Sequence, residues 1–270
     1  MGLALSRLEE IRTQYRMAAE DGEADSPAPA PVPPTGAAAA SGGGTEKKKQ
    51  ADDSSSSSKT TEWVPHKFSE IVGQRRPGED MFRGIYLPRS DQQPKTKKYW
   101  VDGRNANCFM LFPKGFSITW GSDERYWSWR KLTQEEKRGI DDEEANMEVA
   151  YLKDVCWLEI RAKLEMSHLT PGFTYVVAFV AKLEPNGYGW SEPVDLQIKC
   201  PGDIDGKPRQ QRKESLWKTV DGKKWTDLNV GEVKAEAGQK GEMEIAMLRL
   251  GGDWKRGLSL RYIKIAPQKP

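Results

Sequence analysis

From residue 107 onward the chain keeps restarting one pattern: a handful of positions in which apolar and polar side chains alternate, then a break at glycine, proline or asparagine. The runs cover 107–112, 115–120, 126–129, 155–164, 174–183, 194–200, 225–230, 242–248 and 258–266. Turn signals stand between them, including the Asp-Gly pairs at 102–103 and 221–222, Pro-Gly at 171–172 and Pro-Asn-Gly at 185–187. A period of two is that of a strand with one face buried. Within 155–164, Cys156, Leu158, Ile160, Ala162 and Leu164 fall on one face, and Glu159, Arg161 and Lys163 on the other. The run 174–183 is apolar on both faces over most of its length, which suits a strand covered on both sides. Only 143–151, rich in Glu and Ala, and a short piece at 66–72 have helical character. Many short strands with turns between them and little helix predict an all-β fold, a jelly-roll-like two-sheet β-sandwich with a few short helices.

The pattern begins only after residue 62. Near the start, Leu5, Leu8, Ile11 and Tyr15 recur at helical spacing, which predicts an amphipathic helix over 1–19. Acidic, Pro/Ala, Ala/Gly and Ser-rich stretches then follow one another over 20–61 with almost no large apolar side chain. Such a segment cannot offset chain entropy by burial and is expected to be a disordered low-complexity linker. Residues 62–270 are left as the folded domain. With 42 basic and 40 acidic side chains the net charge is +2, so no strong overall field draws the chain onto nucleic acid or an anionic membrane. Basic stretches at 47–49, 95–98 and 207–213 read as solvated loops; weak binding of RNA, by phosphate contacts and stacking on an exposed tryptophan, is the alternative. No signal-peptide-type run opens the chain, and no apolar stretch approaches the roughly 18 residues of a transmembrane segment. Cys108, Cys156 and Cys200 are odd in number and sit in or beside apolar runs, as buried thiols in a reducing compartment do. The opening Met1 and Gly2 fit the permissive pattern for myristoylation of Gly2, one that chance also produces; a single acyl chain gives weak, reversible membrane association.

Catalytic signatures are sparse. His66 and His168 lie in separate segments, with no GxSxG and no metal-ligand spacing, and no cofactor is expected. The acidic pairs Glu242 with Glu244 and Asp141 with Asp142 read as solvated surface rather than a glycosidase pair. The unusual local feature is aromatic: SITWGSDERYWSW, residues 117–129, places Trp120, Tyr126, Trp127 and Trp129 in one strand, turn and strand. Core packing accounts for any one of these rings as well as ligand contact does. As a cluster they favour a sugar site, because an indole offers a rigid apolar platform to the C–H face of a pyranose while Asp123, Glu124 and Arg125 hydrogen-bond its hydroxyls.

Six blocks carry a family likeness: YWVDG from Tyr99, NCFMLFPKGFSITW from Asn107, RYWSW from Arg125, EVAYLKDVCWLEI from Glu148, TYVVAFVAKL from Thr174 and GDWKRGLSLRYIKIAP from Gly251. Over roughly 82–267 the chain resembles the phloem protein 2 family of tobacco-agglutinin-related lectins. The resemblance implies a plant lectin of cytoplasm and nucleus, able to form a homodimer, that binds N-acetylglucosamine oligomers and the core of N-glycans, and hence N-glycosylated proteins. The family's ITW and YWxW tryptophans fall on Trp120, Trp127 and Trp129, and the glutamate of its GExE strand on Glu242. A second acidic position seven residues on is occupied by Arg249, which implies an altered or weakened sugar preference. The expected mechanism is binding without catalysis, with Trp120 and Trp127 as platforms and Glu242, Asp123 and Glu124 holding hydroxyl or acetamido groups. The alternative is a phloem-protein-type scaffold or RNA-binding protein with a degenerate sugar site.

Overall fold

The computed structural model describes residues 63–88, 94–203, 207–220, 222 and 224–269. The expected amino-terminal helix, its linker and Gly2 lie outside the described residues. Among the described residues there are thirteen strands: β1 (Ile85–Pro88), β2 (Lys95–Val101), β3 (Asn107–Leu111), β4 (Ser117–Ile118), β5 (Trp127–Lys131), β6 (Glu148–Leu152), β7 (Leu158–Glu165), β8 (Thr174–Tyr188), β9 (Val194–Lys199), β10 (Gln210–Glu214), β11 (Thr226–Lys234), β12 (Glu242–Arg249) and β13 (Arg256–Pro267). The helices are single turns: α1 (Phe68–Val72), α2 (Asp80–Arg83), α3 (Asp142–Asn146) and α4 (Leu216–Thr219).

Two antiparallel sheets form the expected sandwich. The larger, of eight strands, runs β1-β2-β3 to β13 and on through β6 to β5, with β8 along the other edge of β13 and β11 beyond it. The smaller, of five, has the order β10-β9-β12-β7-β4. The core between them is built by the alternation read in the sequence: Leu158, Ile160, Ala162 and Leu164 of β7 meet Tyr175, Val177, Phe179 and Ala181 of β8 within one buried cluster. In β8, Ala178 and Val180 are buried as well, on its other face, as a doubly apolar strand requires. The three cysteines are free and buried.

β13 has a device that alternation conceals. Leu258 and Leu260 face the core, and so do Ile263 and Ile265; the parity changes because the register against β8 shifts between Leu260 and Tyr262. A bulge keeps both halves of the strand apolar side inward. At the same place the opposite edge of β13 changes partner, from β6 at Ser259 and Leu260 to β3 at 263–265.

Several sequence expectations need correction. The Glu/Ala-rich 143–151 is helical only as α3; the chain then extends as β6, whose Val149, Ala150, Tyr151 and Leu152 are all buried. The Asp141 carboxylate accepts the Glu144 amide at 2.8 Å and so caps α3, but one turn is all that follows. Pro185, Asn186 and Gly187 make no turn and lie within β8. Two of the three basic stretches are strands: 95–98 opens β2, and most of 207–213 belongs to the edge strand β10, while 47–49 lies outside the described residues. Lys98 is buried, its ammonium 2.7 Å from Asp141 and 3.5 Å from Glu144, while Arg261 reaches the other Glu144 oxygen at 2.7 Å. Tyr86 donates to Asp141 at 2.7 Å, so two cations and two carboxylates pin the segment around α3 to the outer face of the larger sheet.

Candidate carbohydrate-binding site

The aromatic segment 117–129 is not a hairpin. β4 pairs with β7 in the smaller sheet and β5 with β6 in the larger, so the residues between them cross from one sheet to the other at the margin of the sandwich. Short backbone bonds shape the crossing: the Gly121 amide to the Ile118 carbonyl at 2.8 Å, Asp123 to Trp120 at 2.9 Å, and Tyr126 to Asp123 at 3.0 Å. To make this turn Trp120 takes a left-handed backbone, φ 55°. For a bulky side chain that conformation costs on the order of 1–3 kcal/mol, and such strain concentrates where a side chain must be presented in one direction.

What it presents is a half-buried indole. Trp120 packs against Tyr126, ring centroids 5.6 Å apart, and lines a cleft of about 790 Å³ together with Phe116, Asp123 and Trp129. The Lys114 ammonium sits 3.7 Å from the centre of the Trp129 ring and fixes that wall by cation–π attraction. Pro113 and Lys114 of the 3-10 turn Pro113–Gly115 also line the cleft, and that turn lies so close to β2 that a Cβ on Gly115 would come within 2.8 Å of the Thr96 Cβ.

Trp127 does not join this cleft. It is 2% exposed, and its indole N–H donates to the Thr119 carbonyl at 3.2 Å, so it ties the crossing segment to the core. The expected platform at Trp127 is therefore corrected: Trp129, two residues on in the middle of β5, is the ring of that face that lines the cleft. Asp123 borders the cleft, but its carboxylate is engaged by the Arg125 amide at 2.9 Å and the Arg125 guanidinium at 2.7 Å. Those hydrogen bonds hold it below the usual carboxylate range, so it stays charged and shapes the turn. The exposed Glu124 borders neither this cleft nor the next.

Glu242 opens β12 and lines a second cleft, of about 670 Å³, with Lys97, Gly115, Phe116, Ser117, Arg161 and Glu244. Phe116 and Ser117 belong to both clefts, so Trp120 and Glu242 stand on either side of one shared ridge. Arg161 donates to Glu159 at 2.7 Å and also pairs with Glu244; burial works against its charge, but the hydrogen bond to Glu159 and the two carboxylates outweigh it and hold its pKa above the ordinary arginine value. Lys163 lies 3.3 Å from Glu242, both side chains being more than half exposed. Arg249 is at the far end of β12, paired with Leu158 where Glu242 pairs with Glu165. Seven strand steps of ~3.3 Å separate Arg249 from Glu242 along β12, so the two do not hold one sugar ring together. The two histidines do meet, lining a third hollow with Glu165 and Ser167, where His66 contacts the Ser167 carbonyl at 3.0 Å.

Sequence reading overlooked Phe116, Lys97 and Arg161. Phe116 stands immediately before the aromatic stretch 117–129 and was legible as a fifth ring beside it. The other two come from β2 and β7, and only the packing of the sheets brings them beside Glu242.

The family described as Phloem protein 2 matches residues 106–267. The chain is 41% identical over 193 residues to Protein PHLOEM PROTEIN 2-LIKE A1 of Arabidopsis thaliana, covering 71% of this chain and 72% of that one. It is 35% identical over 188 residues to a protein named Lectin from Luffa acutangula, covering 69% and 81%. Among solved structures it is similar to the CBM22-1 xylan-binding domain of Paenibacillus barcinonensis Xyn10C, at 14% identity over 59% of this chain and 89% of that one with a TM-score of 0.34, a likeness that bears on no question of ligand. The chain belongs to the phloem protein 2 family.

Proposed function

We propose that this protein is a lectin that binds N-acetylglucosamine oligomers and the core of N-glycans without turning them over, and so recognises N-glycosylated proteins. The observation that carries this reading is the strained presentation of Trp120 beside Trp129 and Phe116, in a cleft that shares the Phe116–Ser117 ridge with the cleft of Glu242. Flat rings take the apolar face of a pyranose, and a carboxylate accepts from its polar substituents. Family membership, with a relative named Lectin, supports the same ligand class. Buried free thiols suit the cytoplasm and nucleus as its place of action.

Calorimetric titration of chitotriose into the full chain tests this. Saturable binding is expected, with Trp120→Ala weakening it at least about tenfold, or about 1.4 kcal/mol, while the fold is retained. Absence of binding in the unmodified protein, followed by silence across a broad glycan array, rejects the lectin reading. A second reading has one observation behind it: Trp217 is 63% exposed just beyond the basic edge strand β10, an arrangement suited to stacking on single-stranded RNA. RNA retention that falls steeply with salt, together with a silent array, supports that alternative.

A further inference from the structure

Lys97 is the charged side chain on the wall of the second cleft that has no hydrogen-bond or ion-pair partner among the described residues. Around it Arg161 is taken by Glu159 and Glu244, and Lys163 by Glu242. Lys97 reaches this wall from the opposite sheet. It shares a face of β2 with Tyr99 and Val101, which are 0% and 2% exposed in the core, and it stands one alternation nearer the rim. There β4 is too short to cover β7: it pairs only with Arg161 and Ile160, leaving the β7 edge beyond Arg161 open on that side. Burial pulls the Lys97 ammonium below the ordinary lysine range, and the Glu242 charge pulls it back.

The cleft thus faces a ligand with a group that only donates, Lys97, and one that only accepts, Glu242. A hydroxyl satisfies both only where the two groups converge on its single oxygen atom, whereas Lys97 and Glu242 stand on strands of opposite sheets. An amide carries a carbonyl and an N–H in fixed relation and satisfies both. We propose that Lys97 and Glu242 together read the acetamido group of the sugar, Lys97 donating to its carbonyl oxygen and Glu242 accepting from its N–H, while the pyranose rings lie along Phe116 towards Trp120. This assignment rests on the lectin reading and adds a specificity-determining residue to it. The Lys163 contact with Glu242 is a solvated pair that a ligand displaces at little cost. Arg161, held on two sides, walls the cleft without competing for the ligand.

The test compares chitotriose with cellotriose, the same β-linked backbone without acetamido groups, titrated into the full chain and into Lys97→Met. Methionine keeps the apolar stem and removes a half-buried unpaired charge, so the fold is retained, and a thermal melt verifies this; Lys97→Arg is a second variant that keeps a donor. The unmodified protein is expected to prefer chitotriose by at least about tenfold, as fits a charge-assisted hydrogen bond. Lys97→Met should lose most of that preference by weakening chitotriose alone, and Lys97→Arg should keep part of it. A Lys97→Met protein with undiminished preference overturns the assignment. Equal binding of both trisaccharides by the unmodified protein overturns it too, and leaves the lectin reading standing. Binding of neither overturns the assignment, and a silent glycan array beside it sinks the lectin reading itself.

Discussion

At Lys255 an ammonium group is folded into the protein with backbone carbonyls as its acceptors: it is 0% exposed and donates to the carbonyls of Cys156, at 2.5 Å, and Asp253. Burial first, then repulsion from Arg249, lowers its pKa from 10.5 to about 8. The native state therefore releases this proton near pH 8, whereas the unfolded chain holds it to about 10.5. Between those values the unfolded state binds more protons, so stability rises with pH, by up to about 3 kcal/mol at ~1.4 kcal/mol per pH unit. Denaturation of the unmodified protein and Lys255→Met at pH 7, 8, 9 and 10 should show the difference moving in favour of the unmodified protein. A constant difference dismisses the effect. The buried Tyr86, Tyr99 and Tyr175 and the half-buried Tyr262 have raised pKa values and act oppositely above about pH 10, equally in both proteins, so they cancel. Individual residues were also where sequence reading was least able to choose. Alternation puts Trp127 and Trp129 on one face, but it does not say how far along that face solvent begins, and the buried ring is Trp127. Nothing in a linear pattern announces the left-handed backbone of Trp120 either.

Elements were legible where burial falls on one face. β7, β9 and β12 lie close to their alternating runs because each packs an apolar stripe into the sandwich, and β8, buried on both faces, was legible by its continuous apolar run. β1, β2 and β10 escaped notice: β1 is short, β2 opens on lysines and threonine, and β10 is wholly polar, and pairing with a neighbour holds such stretches though they have no apolar rhythm of their own. β6 was obscured by the acidic residues before it, which serve α3 and its buried ion pairs. Glu144, 5% exposed, sits between Lys98 and Arg261. Glu144→Ala should destabilise the domain by about 3–5 kcal/mol in chemical denaturation, since it leaves two buried cations short of a counter-charge. A loss below about 1 kcal/mol would mean that water, not Glu144, solvates those cations.

At the scale of the whole molecule the two clefts lie on one margin of the sandwich, and each domain carries one such groove. A shallow groove binds weakly alone, and pairing two domains raises effective concentration without any new contact. Light scattering at high protein concentration is expected to give twice the chain mass; a monomer at every concentration removes avidity from the account. The two-sheet architecture followed from the run of short strands, but the strand order did not, because it is set by contacts far apart in sequence. β13 shows why that order matters. It supplies edge partners to β3, β6 and β8, all of which precede it by many residues. During synthesis those three strands leave the ribosome with bare edges and stay so until 256–267 emerges to close the larger sheet. For that interval the nascent chain exposes unpaired strand edges, the kind of surface on which aggregation starts.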